Sequence, residues 1–248
     1  MEGIMKINGV INGIVWGPWM LTLLVGTGVY LTLILGLPQV RYFVLMFKEV
    51  FGNLGKKKEG EGSISSFAAL STALASTIGT GNIAGVATAL HLGGPGALFW
   101  MLVSAVFGMT TKMCEVALAV HFREKDSSGN WRGGTMYMLE KGTGQKWLAW
   151  LFALFAFLAS FGIGCAIQAN STAEGFNLGF GIPHMYTGIA VAVLTGLVIV
   201  GGLKRISDVT TYLVPFMAIF YIVGGIIVVA THASAIPLAI GNAVKYAF

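Results

Sequence analysis

Long runs of apolar side chains constrain this chain more than any other feature of its sequence. A helix needs about 20 apolar residues to cross the ~30 Å hydrocarbon core of a bilayer. Composition agrees, because 56% of the residues are hydrophobic and 10% are charged, whereas soluble domains carry about 25% charged residues. The sequence therefore predicts an all-α polytopic membrane protein. Its six candidate spans are 13–38, 64–90, 95–120, 147–171, 186–203 and 208–231.

Other classes fit poorly. A transmembrane barrel alternates apolar and polar residues in segments of about 10, which these runs do not. The net charge of +5 arises from basic residues between spans, so no nucleic-acid partner is expected. The sequence shows no nucleophile–base pair or metal-ligand cluster typical of an enzyme. It also lacks the rings of charged side chains or repeated carbonyl filter that a channel uses.

The distribution of Lys and Arg predicts the orientation of the spans, since both residues accumulate on the cytoplasmic side. Three alternate connections hold all twelve of the basic residues between spans. The connections near 91–94, 172–185 and 232–239 hold none. We therefore expect a multi-pass protein of the cell membrane with its N-terminus outside. The twelve are Arg41, Lys48, Lys56, Lys57, Lys58, Arg123, Lys125, Arg132, Lys141, Lys146, Lys204 and Arg205.

The 35 glycines are about twice the usual share. Most of those inside spans are expected to let helices pack closely. The pairs in question are Gly81 and Gly85, Gly162 and Gly164, Gly201 and Gly202, and Gly224 and Gly225.

The second span has a different pattern, because Gly79-Thr80-Gly81-Asn82 lies near its middle. This is a poor stretch of helix, and unwound backbone inside a membrane must be buried in protein or line a cavity. A helix broken in this way offers carbonyls to a cation and amides to a carboxylate. The alternative is a kink in which the glycines pack and Asn82 bonds to a neighbouring helix.

Several motifs carry a resemblance that extends over essentially the whole chain. They are Gly79-Thr-Gly-Asn-Ile-Ala-Gly-Val-Ala-Thr-Ala, Gly93-Gly-Pro-Gly-Ala-Leu-Phe-Trp-Met, Gly108-Met-Thr-Thr-Lys-Met-Cys-Glu115, Arg132-Gly-Gly, Phe161-Gly-Ile-Gly, Gln168-Ala-Asn-Ser and Gly201-Gly-Leu-Lys-Arg-Ile. With these motifs the chain resembles the alanine/glycine:cation symporter family. It departs from the family's pattern at Leu102, where a Trp is expected, and at Thr135, where a Pro is expected.

The resemblance implies a LeuT-like fold of two inverted five-helix repeats preceded by one extra helix. Residues 1–63 are then the leading helix and a basic cytoplasmic loop, 64–235 the first repeat, and 236–248 an extracellular segment. The second repeat would lie outside these 248 residues. Either the chain is a fragment, or its partner half comes from elsewhere.

The resemblance also implies the roles of individual residues. Substrate ligands would be Gly79, Thr80, Gly81, Asn82 and Gln168, and the carbonyls of Ala75 and Ile78 would form half of a sodium site. For Gln168 the alternative is a bond between helices. Phe161 either walls a small pocket or packs in the core.

Charged residues are nearly absent from the spans, with Lys112 and Glu115 the exceptions well inside one. A proton-coupled carrier uses a relay of ionisable residues, so sodium is the expected coupling ion and no cofactor is expected. Lys112 and Glu115 form either a structural pair or part of a gate.

The leading prediction is sodium-coupled symport of alanine or glycine. The alternative is a non-transporting fragment or an assembly partner of a membrane complex.

Overall fold

A computed structural model describes residues 2–52 and 65–248, and most of these residues are helical. The helices are α1 Glu2–Val15, α2 Pro18–Ile34, α3 Pro38–Arg41, α4 Phe43–Phe51, α5 Ser66–Thr77, α6 Ala84–Gly93, α7 Gly96–His121, α8 Thr135–Thr143, α9 Lys146–Ala159, α10 Ile167–Phe180, α11 His184–Ile199, α12 Gly202–Thr231 and α13 Ile236–Lys245. Short 3₁₀ turns occupy Thr80–Asn82 and Ala233–Ala235, and a π-helix joins α9 to α10 over Ser160–Ala166. Strands β1 Glu124–Lys125 and β2 Trp131–Arg132 pair antiparallel.

Four of the six predicted spans are confirmed as apolar helical segments long enough to cross a membrane. They are Met5–Ile34, Gly96–His121, Lys146–Phe180 and Gly202–Thr231. The fifth predicted span is the 16-residue helix α11, about 24 Å long at 1.5 Å per residue. The second is divided into α5 and α6. The chain is a multi-pass membrane protein.

Two predicted boundaries were wrong. The connection expected at 172–185 is helical to Phe180, because the carbonyls of Phe176 and Asn177 accept bonds from Ile182 and Gly181 that close the helix end. Lys204 and Arg205 lie in the first turn of α12 rather than in a connection.

The connections expected to be basic loops are also more ordered than predicted. After α2 the chain forms α3 and α4, which carry Arg41 and Lys48; Lys56, Lys57 and Lys58 lie outside the described residues. After α7 the β1–β2 hairpin is closed by the Asp126 carboxylate, which accepts bonds from the amides of Ser128 and Asn130. The hairpin leads into α8.

Small polar residues form the closest contacts between spans. Thr32 of α2 donates its hydroxyl to Thr110 of α7 at 3.0 Å, and both side chains are fully buried. The amide of Gln39 adds a 3.0 Å bond to the Thr32 hydroxyl. The first half of the broken span, α5, packs along α12, where the hydroxyls of Thr72 and Thr210 lie 3.2 Å apart. Small residues allow this close approach.

Candidate functional site

The second span breaks at the predicted position. Ser65 caps the start of α5 by accepting the amide of Ala68. At the other end Ile78 and Gly79 are extended, and one 3₁₀ turn over Thr80–Asn82 precedes α6. The two halves of the span therefore meet at a short segment without α-helical hydrogen bonds, as the composition of this stretch predicts.

The break leaves main-chain groups of both polarities unpaired. Within the described residues, no backbone amide donates to the carbonyls of Ala75 or Ile78. The amide of Gly79 likewise has no acceptor there. Unpaired carbonyls suit a cation and an unpaired amide suits an anion. These groups lie within one turn of one another along the chain.

Gln168 comes to the break from α10. Its Oε1 accepts the backbone amide of Thr80 at 3.0 Å. The bond between helices, which was the alternative to a substrate-ligand role for Gln168, is therefore present, and its partner is the break itself. The backbone N–H of Thr80 bonds to the side-chain oxygen of Gln168, so the side-chain nitrogen Nε2 of Gln168 stays available as a donor.

The constraint at Gly79 comes from the neighbouring Gln168 side chain rather than from backbone angle, since the φ of Gly79 is −139°. A Cβ at this position would lie 2.8 Å from Nε2 and 3.0 Å from Oε1 of Gln168. Any side chain at Gly79 would therefore displace the amide that holds Thr80.

The π-helix that precedes Gln168 was missed by sequence reasoning. Over Ser160–Ala166 the hydrogen bonds widen to the i→i+5 pattern, with Ile167 donating to the carbonyl of Gly162. Such π-turns occur frequently at functional sites. The signal in the sequence is the Phe161-Gly-Ile-Gly stretch, whose glycines predict close helix packing rather than a π-turn.

Part of the break faces away from the rest of the chain. Gly81 and Asn82 are exposed, and a Cβ added at Gly81 would meet no atom within 4 Å. The bond from Asn82 to a neighbouring helix, which a simple kink would need, is not formed within the described residues. Phe161 is 63% exposed, so neither the pocket wall nor the core packing considered for it is seen in this chain.

The glycines expected to pack helices mostly have no close neighbours. A Cβ added to them would meet no atom within 4 Å at Gly81, Gly85, Gly162, Gly224 and Gly225. Within the described residues these positions therefore form an open surface.

The charged pair of α7 lies apart from the break. Lys112 and Glu115 form an ion pair at 3.0 Å, with both side chains part-exposed. They line a cavity of about 330 Å³ between α2 and α7. Among the described residues, neither Lys112 nor Glu115 forms a hydrogen bond with Thr80 or Gln168. The groups that meet at the break are therefore neutral.

Comparison with known sequences identifies the family of this chain. The sodium:alanine symporter family matches over residues 1–248. The chain belongs to the sodium:alanine symporter family. The match confirms the resemblance inferred from the motifs.

Similar proteins of the family come from archaea and bacteria. The chain is 47% identical to the sodium/alanine symporter AgcS of Methanococcus maripaludis, over 100% of the chain and 55% of that protein. It is 40% identical to a putative sodium/proton-dependent alanine carrier of Bacillus subtilis, over 96% and 48%. A probable sodium/glutamine symporter of the same organism is 36% identical over 98% and 50%. The chain spans about half the length of these relatives.

Proposed function

We propose that this chain supplies one half of the site for sodium-coupled symport of small neutral amino acids, alanine or glycine, across the cell membrane. The observation that carries the proposal is the break itself. There, among the residues that the structure describes, the carbonyls of Ala75 and Ile78 and the nearby amide of Gly79 have no backbone hydrogen-bond partner. A zwitterionic amino acid travelling with a cation needs groups of both polarities.

Individual roles follow from the chemistry of each group. The carbonyls of Ala75 and Ile78 contribute oxygen ligands for sodium. The substrate carboxylate binds at the amide of Gly79 and the side chain of Asn82, which offers two N–H donors. Gln168 keeps the 3₁₀ turn in place through Thr80 and directs its Nε2 toward the substrate.

Sodium is favoured over a proton by the neutral lining. In the part of the chain that the structure describes, the break lacks the ionisable relay that proton-coupled carriers use. Main-chain oxygens bind sodium without taking up a proton.

A chimera tests the proposal. The matching half of the M. maripaludis symporter is replaced by this chain, and uptake of labelled alanine is measured in proteoliposomes with an inward sodium gradient. We expect uptake with sodium and none when potassium replaces it. The variant Asn82→Ala removes a hydrogen bond to a charged group, worth about 1.5–3 kcal/mol, so uptake at low substrate should fall by roughly 10–150-fold.

Asn12→Ala is the matched control, because Asn12 is an exposed residue of α1 far along the chain from the break. It should transport as the parent chimera does. Equal uptake by the Asn82→Ala chimera would contradict the site. A correctly inserted chimera that transports nothing would instead favour the alternative, an assembly role without transport.

A further inference from the structure

The Gly93-Gly-Pro-Gly-Ala-Leu-Phe-Trp motif takes no part in the break, yet the structure gives it a partner. It forms the start of α7, opposite the end that leads to the β1–β2 hairpin. Packed on α7 lies the segment that follows α12. We call this segment, residues 236–248, the strap; it consists of α13 and the three residues after it.

The strap approaches α7 most closely at Gly96. A methyl group on Gly96 would overlap the carbonyl oxygen of Tyr246 and would lie 2.9 Å from the amide nitrogen of Ala247. No side chain fits between these two backbones. Glycine is therefore the only residue type at position 96 that permits this contact.

A hydrogen bond fixes the strap one turn further along α7. The indole nitrogen of Trp100 donates to the carbonyl of Ala247 at 2.8 Å. The ring of Phe248 lies 5.5 Å from that of Phe99 and 5.7 Å from that of Trp100. On α13 itself, Ala243 is only 6% exposed. Close backbone approach, an indole bond and a buried alanine thus mark one interface.

We propose that Gly96 and Trp100 form a docking surface for the strap, and that the docked strap fixes the end of the α6–α7 hairpin at which the two helices are connected. Two residues, Gly94 and Pro95, separate α6 from α7, so fixing the start of α7 also fixes the end of α6. The break lies at the other end of α6, about 15 Å away for ten residues. The strap thereby connects the chain beyond α12 to the second half of the broken span.

Cysteine labelling tests the docking without reference to transport. Ala243→Cys is introduced into the 248-residue chain after Cys114 and Cys165 are replaced by alanine, and its reaction with a maleimide is followed in permeabilised membranes. The docked strap should protect this thiol. Trp100→Phe, which removes the indole donor, should raise the labelling rate by roughly fivefold or more, the factor expected for one lost hydrogen bond. Gly96→Ala should raise it further.

The controls are a second glycine of α7, a tryptophan of α9 and a second position in the strap. Gly108→Ala adds a methyl group where no atom lies within 4 Å, and Trp147→Phe alters a tryptophan that is 63% exposed; both should leave the rate unchanged. Leu238→Cys, at a strap position that is 68% exposed, gives the rate of an unprotected thiol.

Two results would overturn the proposal. One is a cysteine at Ala243 that reacts as fast as the Leu238→Cys reference in the otherwise unaltered chain. The other is a Trp100→Phe rate equal to that of Trp147→Phe. If the Gly96→Ala variant does not insert into the membrane, the comparison of labelling rates between Trp100→Phe and Trp147→Phe still tests the proposal.

Discussion

The contact between Gly79 and Gln168 predicts that Gly79→Ala lowers the free energy of unfolding when Gln168 is present and raises it when the Gln168 side chain is removed. Gly79→Ala places a methyl carbon 2.8 Å from Nε2 and 3.0 Å from Oε1 of Gln168. Nonbonded heavy atoms rest at about 3.5–4.0 Å. The Gln168 amide must therefore retreat by roughly half an ångström or more, and the 3.0 Å bond to Thr80 is lost.

The size of the destabilisation follows from the backbone amide of Thr80, which is left without its acceptor. Thr80 loses the acceptor of its amide in a part-buried position, which costs about 1–3 kcal/mol. In a Gln168→Ala background that bond is already absent, and the space for a methyl group is open. Because the φ of Gly79 is −139°, alanine is unstrained there, and the same substitution should stabilise the chain by about 0.4–1 kcal/mol.

A double-mutant cycle measures the difference. The free energy of unfolding of the parent, the two single variants and the double variant is determined by reversible unfolding in one lipid–detergent mixture. We expect a coupling free energy of about 1–3 kcal/mol between the two sites. Gly85→Ala, where no atom lies within 4 Å of the added methyl group, should show none with Gln168→Ala. Additivity within about 0.5 kcal/mol for Gly79→Ala and Gln168→Ala would refute the contact.

Two further predictions concern polar groups outside the break. Thr32→Val removes a buried hydroxyl that bonds to Thr110 and Gln39 and should lower the free energy of unfolding by about 1–3 kcal/mol; Thr32→Ser keeps the hydroxyl and should lose less. The bonds from the amides of Asn130 and Ser128, together with Arg132, hold the pKa of Asp126 below its ordinary value. A lowered pKa in the folded state means that this carboxylate stabilises the hairpin above about pH 3.9 and ceases to do so as the pH falls through the lower value. The protection factors of the hairpin amides, in which the intrinsic pH dependence of exchange is divided out, should therefore fall on acidification in the parent, and an equal fall in Asp126→Asn would contradict this.

The sequence was sufficient for features that depend on local composition. Apolar run lengths predicted where the spans lie, and two glycines with an asparagine predicted the break at residues 79–82. Both depend on the cost of placing a given residue type in a helix or in hydrocarbon, which is a property of the segment itself.

Features that depend on distant partners do not follow from local composition, and it was the resemblance to the family that placed Gln168 with residues 79–82. The bond from Thr80 to Gln168 joins residues 88 positions apart, and the strap joins Trp100 to Ala247 across 147. Nothing near either residue indicates its partner. The polar connections were misjudged for a related reason, since a single carboxylate, Asp126, orders a hairpin through bonds that composition does not reveal.

The π-helix explains why a glutamine on a different span can reach the break at all. An α-helix advances about 100° per residue, so the wider turn over Ser160–Ala166 changes the direction of every side chain after it. Gln168 is the second residue beyond that segment. Were the helix α-helical throughout, the side chain of Gln168 would leave the helix in a different direction and would no longer point at the amide of Thr80.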